Sequence, residues 1–173
     1  TDLPDGVKAK PLPENLGIPA GRNAGVSLVE GDLLFFLDDD ACLPEDDILA
    51  RMAAQFAADP TLGMIQPRVV DPAGRAAPRR WTPRVRVGDP ARSSSAMNVW
   101  EGAVAIRRDA FEFAGGWPAP FWYAHEGIEL AWRVWDGGFH VRYDGEIEVY
   151  HPAIQPTRHA EFYRFQARNR VWL

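Results

Sequence analysis

The apolar residues of this chain fall into runs whose spacing changes along its length. Leu33–Leu37 is a continuous apolar block, too short for a helix and without polar alternation, which predicts a strand covered on both faces. The stretch "LGMIQPRVV" predicts another strand. Between them, Ile48, Leu49, Met52, Ala53 and Phe56 recur at helical spacing, with Pro44 suited to the first helical position, Glu45 to Asp47 to the positive helix start, and Pro60 as the stop. Upstream, Pro4, Gly6, Pro11 and Pro13 mark residues 1 to 14 as loop around one short strand, and Gly21 to Val29 reads as a short helix entered through "PAGRN". Downstream, "EGAVAIRRDAFEFAGGWP" predicts strand, short helix and glycine turn. "GIELAWRVWDGG" predicts a helix with Ile128, Ala131, Trp132 and Trp135 inward, ended by Gly137 and Gly138. "EIEVYHP" alternates, so Ile147, Val149 and His151 share a face, and Thr157 to Leu173 reads as an amphipathic helix carrying Phe162, Phe165 and Trp172, with Arg164 and Arg168 one turn apart. Strands alternating with helices predict an α/β fold with a mixed, mostly parallel sheet, in a single domain over residues 1–173.

One stretch breaks the pattern. Gln66 to Arg92 holds seven arginines and five prolines with little apolar periodicity, which predicts a long surface excursion and the most mobile part of the chain. It is either a solvated insertion or a loop that receives an anionic partner. The 173 residues, 46% hydrophobic, suffice for one core. A net charge of −5 argues against general nucleic-acid binding, which depends on neutralising phosphates. Cys42 is the only cysteine, so no intrachain disulfide can form. Neither a membrane-spanning run nor a signal-peptide pattern is present in the sequence. Together these predict a cytoplasmic protein, peripheral to a membrane at most.

The chemistry concentrates where the first strand ends, in "FFLDDDACLPED". Three adjacent carboxylates repel and need a cation, hydrogen bonds or hydration. In an extended strand Asp38 and Asp40 project to one side and Asp39 to the other, so two carboxylates share a face. That is half of a site for a hard divalent cation such as Mg²⁺ or Mn²⁺, at a strand end where open α/β sheets bind ligands. A solvated turn or a helix cap would read the same way.

The surrounding blocks narrow the choice. "ENLGIPAGRNAG", "GDLLFFLDDDACLPED", "GAVAIRRDAFEFAGGW", "HEGIELAWRVWDGGFHVRY" and "VYHP", in this order and spacing from about Asn15 onward, resemble the family-2 glycosyltransferases of the GT-A fold. The resemblance implies a Rossmann-like sheet flanked by helices and metal-dependent, inverting transfer of a sugar from a nucleotide-diphosphate donor, of UDP or dTDP type, to the hydroxyl of a saccharide, lipid-linked or other acceptor. It implies that Asp40 and Asp38 ligate Mn²⁺ or Mg²⁺ with His151, and that Asp38, Asp39 and Gly102 contact the donor; Arg22, entering a helix N-terminus after Gly21, suits a phosphate or nucleotide contact, and Glu129, three residues after Glu126 on the same helix face, is a candidate to orient Glu126 or to hydrogen-bond the donor sugar. Trp100, Glu101 and Gly102 fall where the family lines its sugar pocket, and Trp100, Trp117 and Trp122 are candidates for acceptor contact.

Two departures qualify it. The family's acidic pair before a helix reads Glu126-Gly127 here, so the aspartate that often serves as base is absent, and Glu126 becomes the candidate base, as in the similar Gly-Glu-Asn segment of mucin-type GalNAc transferases. The family's first strand–helix unit also lies upstream of "TDLPDGVKAK", so the chain is expected to be a fragment of a larger domain. Two other readings stay open on the residues alone: a haloacid dehalogenase-like phosphatase built on "LLFFLDDDAC", and a non-catalytic sugar-nucleotide-binding remnant.

Overall fold

The computed structural model describes residues 6–153 and 160–173. The first five residues of the predicted N-terminal loop, and the start of the C-terminal helix at Thr157, lie outside them. Five strands, β1 (Leu33–Leu37), β2 (Leu62–Val70), β3 (Ser94–Ser95), β4 (Ala103–Arg107) and β5 (His140–Tyr150), form one sheet in the order β1-β4-β2-β5-β3. Five helices accompany it: α1 (Ile18–Val26), α2 (Ile48–Ala58), α3 (Arg108–Phe113), α4 (Glu126–Asp136) and α5 (Ala160–Trp172). The sheet is mixed, as expected, but it is not mostly parallel. β1, β2 and β5 run the same way, but β4 is inserted antiparallel between β1 and β2, so β2–β5 is the one parallel pairing among the four.

Burial explains the layering. Ile48, Met52 and Phe56 of α2 cover one face of the sheet against Leu62, Ile65, Ala105 and Ile147, while Ala110, Phe111, Leu130, Ala131 and Val134 of α3 and α4 cover the other. A third cluster, Val69, Trp81, Trp100, Ala103 and Val149, fills the end of the sheet where β1, β2 and β5 finish. Pro67 is tolerated inside β2 because the pairing with β5 shifts there, from Pro67 opposite Asp144 to Arg68 opposite Glu148, which leaves a bulge at Gly145–Ile147.

Several expectations are corrected. The first helix begins at Ile18 rather than Gly21, because Gly17, at φ 78°, and Pro19 start it three residues earlier. Pro44 to Asp47 precede α2 instead of opening it: Glu45 and Asp47 spend their charge on Arg51 (2.7 and 3.7 Å), and Leu49 of the predicted stripe is exposed. The inward face of α4 is Glu126, Gly127, Leu130, Ala131 and Val134; Trp132 is 40% exposed, so the largest side chains do not mark the buried side. Among the described residues, 6–14 hold no strand. The segment after β2 is only partly a solvated excursion. Gln66 to Val70 belong to β2, and Trp81 and Thr82 are buried. Its arginines stitch the loop to itself: Arg79 donates to the carbonyls of Thr82, Arg84 and Val85, and Arg84 to those of Asp89 and Arg92.

Candidate functional site

Leu33–Leu37 delivers Asp38 to the edge of the sheet, where its N–H donates to the Gly102 carbonyl (2.9 Å). The strand then gives way to a turn closed by Ala41 N–H on the Asp38 carbonyl (3.0 Å), which leaves Asp39 exposed. Cys42 exchanges two 2.9 Å backbone hydrogen bonds with Tyr150 at the end of β5, and this pairing carries Asp40 to His151. Asp40 Oδ1 lies 2.9 Å and Asp38 Oδ2 4.0 Å from His151 Nε2, and one ligand atom from each of the three residues falls within 4.8 Å of the others. Asp39, assigned to the donor by resemblance, stays outside this group.

His151 is held from three sides. Its N–H donates to Val70 O (3.0 Å), and Asp71, kept below the usual carboxylate range chiefly by Arg75, accepts from Ala153 N–H (3.0 Å). The edges of the Trp81 and Trp100 rings pack at 5.4 and 4.9 Å, in T-shaped contact with the imidazole. Gln66, fully buried, fixes both tryptophans: its Oε1 accepts from Trp100 N–H (2.6 Å) and its Nε2 donates to the Trp81 carbonyl (2.8 Å). Trp100 is thus committed to the wall behind His151. Gly102 matters by lacking a side chain, since a Cβ there would collide with the Trp100 ring and approach Asp38 Oδ2 at 2.5 Å.

The donor atoms fit a cation. Nδ1 of His151 lies 2.9 Å from the Pro152 carbonyl oxygen, which only an N–H satisfies, so in the neutral imidazole the proton sits on Nδ1 and Nε2 presents its lone pair to the two aspartates. Acceptor atoms that face one another in this way require a positive charge in common.

Arg22 joins this group to a second acidic centre. Its Nη2 donates to Asp38 Oδ1 (2.8 Å), and its Nη1 stands 3.8 Å from Glu126 Oε1. The guanidinium lies over the Trp117 ring, 5.2 Å from its centroid. Asn23, next in sequence, clamps the Trp117 backbone by two 2.9 Å hydrogen bonds, so "RN" orients an arginine and locks the platform beneath it. Trp117, a candidate for acceptor contact on the sequence, is 1% exposed and packed against Phe36 and Phe111; its ring supports Arg22 and is closed to solvent. Glu126 is fully buried, and neither of its oxygens has a hydrogen-bond partner. Burial first, then the neighbouring Glu101 carboxylate, pushes its pKa up to about 8, against the opposing pull of Arg22. Glu101 is likewise raised by burial. Glu129, the candidate to orient Glu126 or bind the donor, receives Arg133 (Nε–Oε1 2.7 Å, Nη2–Oε2 2.5 Å), which also donates to Gly116 O.

The segment before Glu126 is strained. Trp122, Ala124 and His125 have φ of 64°, 71° and 68°, which is left-handed backbone without glycine. Asn169 of α5, fully buried, holds it by donating to the carbonyls of Phe121, Tyr123 and Ala124 (2.8–2.9 Å), and Arg168 donates to those of Pro120 and Phe121 (2.7 Å each). Beside Arg22 opens a cavity of about 620 Å³ lined by Trp122, Tyr123, Phe162 and Phe165. Trp122, 39% exposed, forms part of its wall. Sequence reasoning missed Gln66 and Asn169. A lone amide inside an apolar strand run was the available signal for the first; the second had none beyond the "QARNRVW" stretch.

Comparison with known proteins supplies the context. Residues 1–114 match the family model described as Glycosyl transferase family 2. A pre-mycofactocin glycosyltransferase of Mycobacterium tuberculosis is 27% identical over 147 residues, which is 80% of this chain and 31% of that protein. The chain therefore spans about a third of the curated relatives it matches. Among solved structures it resembles GalNAc-T7 with UDP, GalNAc and Mn²⁺ (TM-score 0.63, 16% identity, 82% of this chain and 31% of that one). It also resembles the mannosyltransferase PcManGT of Pyrobaculum calidifontis with GDP-Man and Mn²⁺ (TM-score 0.60, 22% identity, 86% and 39%). At these identities the structural matches speak for the fold.

Proposed function

Because the chain belongs to the family-2 glycosyltransferases, we propose that it carries the donor and metal site of an enzyme that transfers a sugar from a nucleotide-diphosphate sugar to an acceptor hydroxyl. The observation that carries this reading is the convergence of Asp38, Asp40 and His151, with Arg22 bridging from Asp38 toward Glu126. Asp38, Asp40 and His151 would hold the metal. The imidazole nitrogen in the set favours Mn²⁺ over Mg²⁺, which seeks oxygen ligands. A divalent ion bound there would offset the negative charge that gathers on the departing diphosphate. The chain's own residues do the rest. Arg22 orients Asp38 and presents a cation beside it. Gly102 keeps the approach to Asp38 open. The carboxylates on the other side of Arg22 stand apart from the metal group, as a single displacement with inversion needs: one side accepts the leaving phosphate, the other the acceptor's proton. Glu126, to which the family pattern points, belongs to this acid–base centre.

The donor is a nucleotide-diphosphate sugar, with UDP as the first nucleotide to try; the GT-A relatives with UDP and GDP-Man support that class. Trp122, on the cavity wall next to Arg22, is the apolar surface we assign to a saccharide or lipid-linked acceptor. A thermal-shift screen of UDP-, dTDP- and GDP-sugars with Mn²⁺, followed by assay of free nucleotide, tests the proposal. Stabilisation with nucleotide release supports a transferase, and stabilisation without release in the intact protein would leave a sugar-nucleotide-binding module. Phosphate release from a simple ester would support the phosphatase.

A further inference from the structure

We propose that Glu101, rather than Glu126, is the carboxylate that receives the acceptor's proton, standing in the space that a side chain at position 127 would occupy. The proposal rests on the transferase reading above and assigns its acid–base step. Gly127 lies in the first turn of α4, and a Cβ built on it would collide with the Val99 carbonyl oxygen and come within 2.9 Å of Glu101 Oε2. The obstacle is backbone, so it cannot swing aside. No aspartate fits at 127, and the carboxylate already in that volume is delivered by the segment ahead of β4. That segment is tied to the same helix end, with Val99 N–H directed at the Gly127 carbonyl (3.4 Å). The carboxylate beside this turn of α4 is thereby supplied by the segment ahead of β4.

Access separates the two glutamates. A base must come within about 2.6–3.2 Å of the proton it takes. Glu126 is 0% exposed, with both oxygens enclosed, whereas Glu101 is partly exposed. Charge points the same way. Close carboxylates do not both ionise readily. Burial raises the pKa of both carboxyls, and the charge of Glu101 raises Glu126 further, to about 8, so Glu126 is the poorer place of the two for negative charge. Arg22 and Arg80 are the cations that act on Glu101. In the reaction the acceptor O–H bond breaks and its proton passes to Glu101. The acceptor oxygen bonds to the anomeric carbon, and the bond from that carbon to the diphosphate oxygen breaks with its electron pair leaving on the diphosphate. Glu126 is then a positioning residue, neutral behind Glu101 and close to Arg22.

The test uses the intact protein, with water as acceptor: release of UDP from UDP-GlcNAc and of GDP from GDP-mannose, with Mn²⁺, beside calorimetric Kd for UDP. Glu101→Gln is expected to lower kcat about 10²- to 10⁴-fold, the usual weight of a general base, with UDP affinity within about twofold of wild type. Glu101→Asp, which keeps the carboxylate, should retain more turnover than Glu101→Gln, and added formate should restore part of the turnover of Glu101→Ala. Near-normal turnover in Glu101→Gln, or a parallel loss of UDP affinity, overturns the proposal and leaves the transferase reading standing. No nucleotide release by the wild type from either donor overturns that reading, and the proposal with it.

Discussion

Replacing Glu126 by glutamine should stabilise the fold, and increasingly so as the pH rises. The carboxyl is fully buried without a hydrogen-bond partner, and its pKa moves from 4.5 to about 8. Between those values the folded state holds a proton that the unfolded state has released. Stability is therefore greatest below the unfolded pKa and falls as pH climbs through this window. At about 1.4 kcal/mol per unit the wild type loses up to about 5 kcal/mol, and sharing of the proton with Glu101 brings the expectation nearer to about 2–4 kcal/mol. Glutamine has the same shape and no such slope. At pH 5 the two proteins should agree within about 1 kcal/mol, since both side chains are neutral. At pH 8.5 the variant should be the more stable, which at about 2–4 °C per kcal/mol for a domain of this size is roughly 5–15 °C in Tm. Urea denaturation followed by tryptophan fluorescence at intervals from pH 5 to 9, in EDTA and without nucleotide, measures the difference. Parallel curves across the range would refute the burial argument, because an exposed or fully ion-paired Glu126 would give no divergence of this sign.

Other consequences follow from particular contacts. Gly102→Ala forces a Cβ into the Trp100 ring and Asp38 Oδ2; it should cost about 1–3 kcal/mol in melts and weaken Mn²⁺-dependent UDP binding at least about tenfold by calorimetry. Asn169→Ala leaves the carbonyls of Phe121, Tyr123 and Ala124 without their donor; it should cost about 1–3 kcal/mol and speed amide exchange at 122–125 before it affects β2, and unchanged exchange there would remove α5 from the support of Glu126. Hydrogen exchange of the wild type should divide the arginine-rich stretch, slow over Gln66–Val70 and fast over Val85–Asp89, where Val85 is 98% exposed.

The first two strands were legible to the residue, because short runs rich in apolar and β-branched residues between loop signals have no competing helical period: Leu33–Leu37 and Leu62–Val70 are β1 and β2 as expected. The alternation that placed Ile147, Val149 and His151 on one face held because side chains of a strand repeat every two residues, and all three are buried. Helix orientation was less legible. The sequence suggests that α4 turns its tryptophans inward, but its N-terminal turn is fixed by Val99 and Glu101 pressing on Gly127, which rotates Glu126 into the core and Trp132 out. The start of α2 was misplaced because Glu45 and Asp47 were read as helix-dipole partners when they serve Arg51. For the candidate site, Asp38, Asp40 and His151 came from the ordered resemblance, and the structure does bring them together. What no local pattern carries is a contact across the fold. Gln66 reaching Trp81 and Trp100, Asn169 holding the Phe121–Ala124 carbonyls, and Glu101 filling the space beside Gly127 each join segments more than ten residues apart.

The account turns on whether Asp38, Asp40 and His151 hold a divalent ion that recruits a nucleotide diphosphate. Calorimetry of the intact protein with UDP, with and without Mn²⁺, beside the Asp40→Ala and Asp38→Ala variants, measures this directly. The expected result is UDP binding that requires Mn²⁺ in the wild type and vanishes in both variants, with their thermal unfolding within about 1 kcal/mol of normal, since both carboxylates lie at a strand end outside the core. Metal-dependent UDP affinity that survives unchanged in both variants would contradict it.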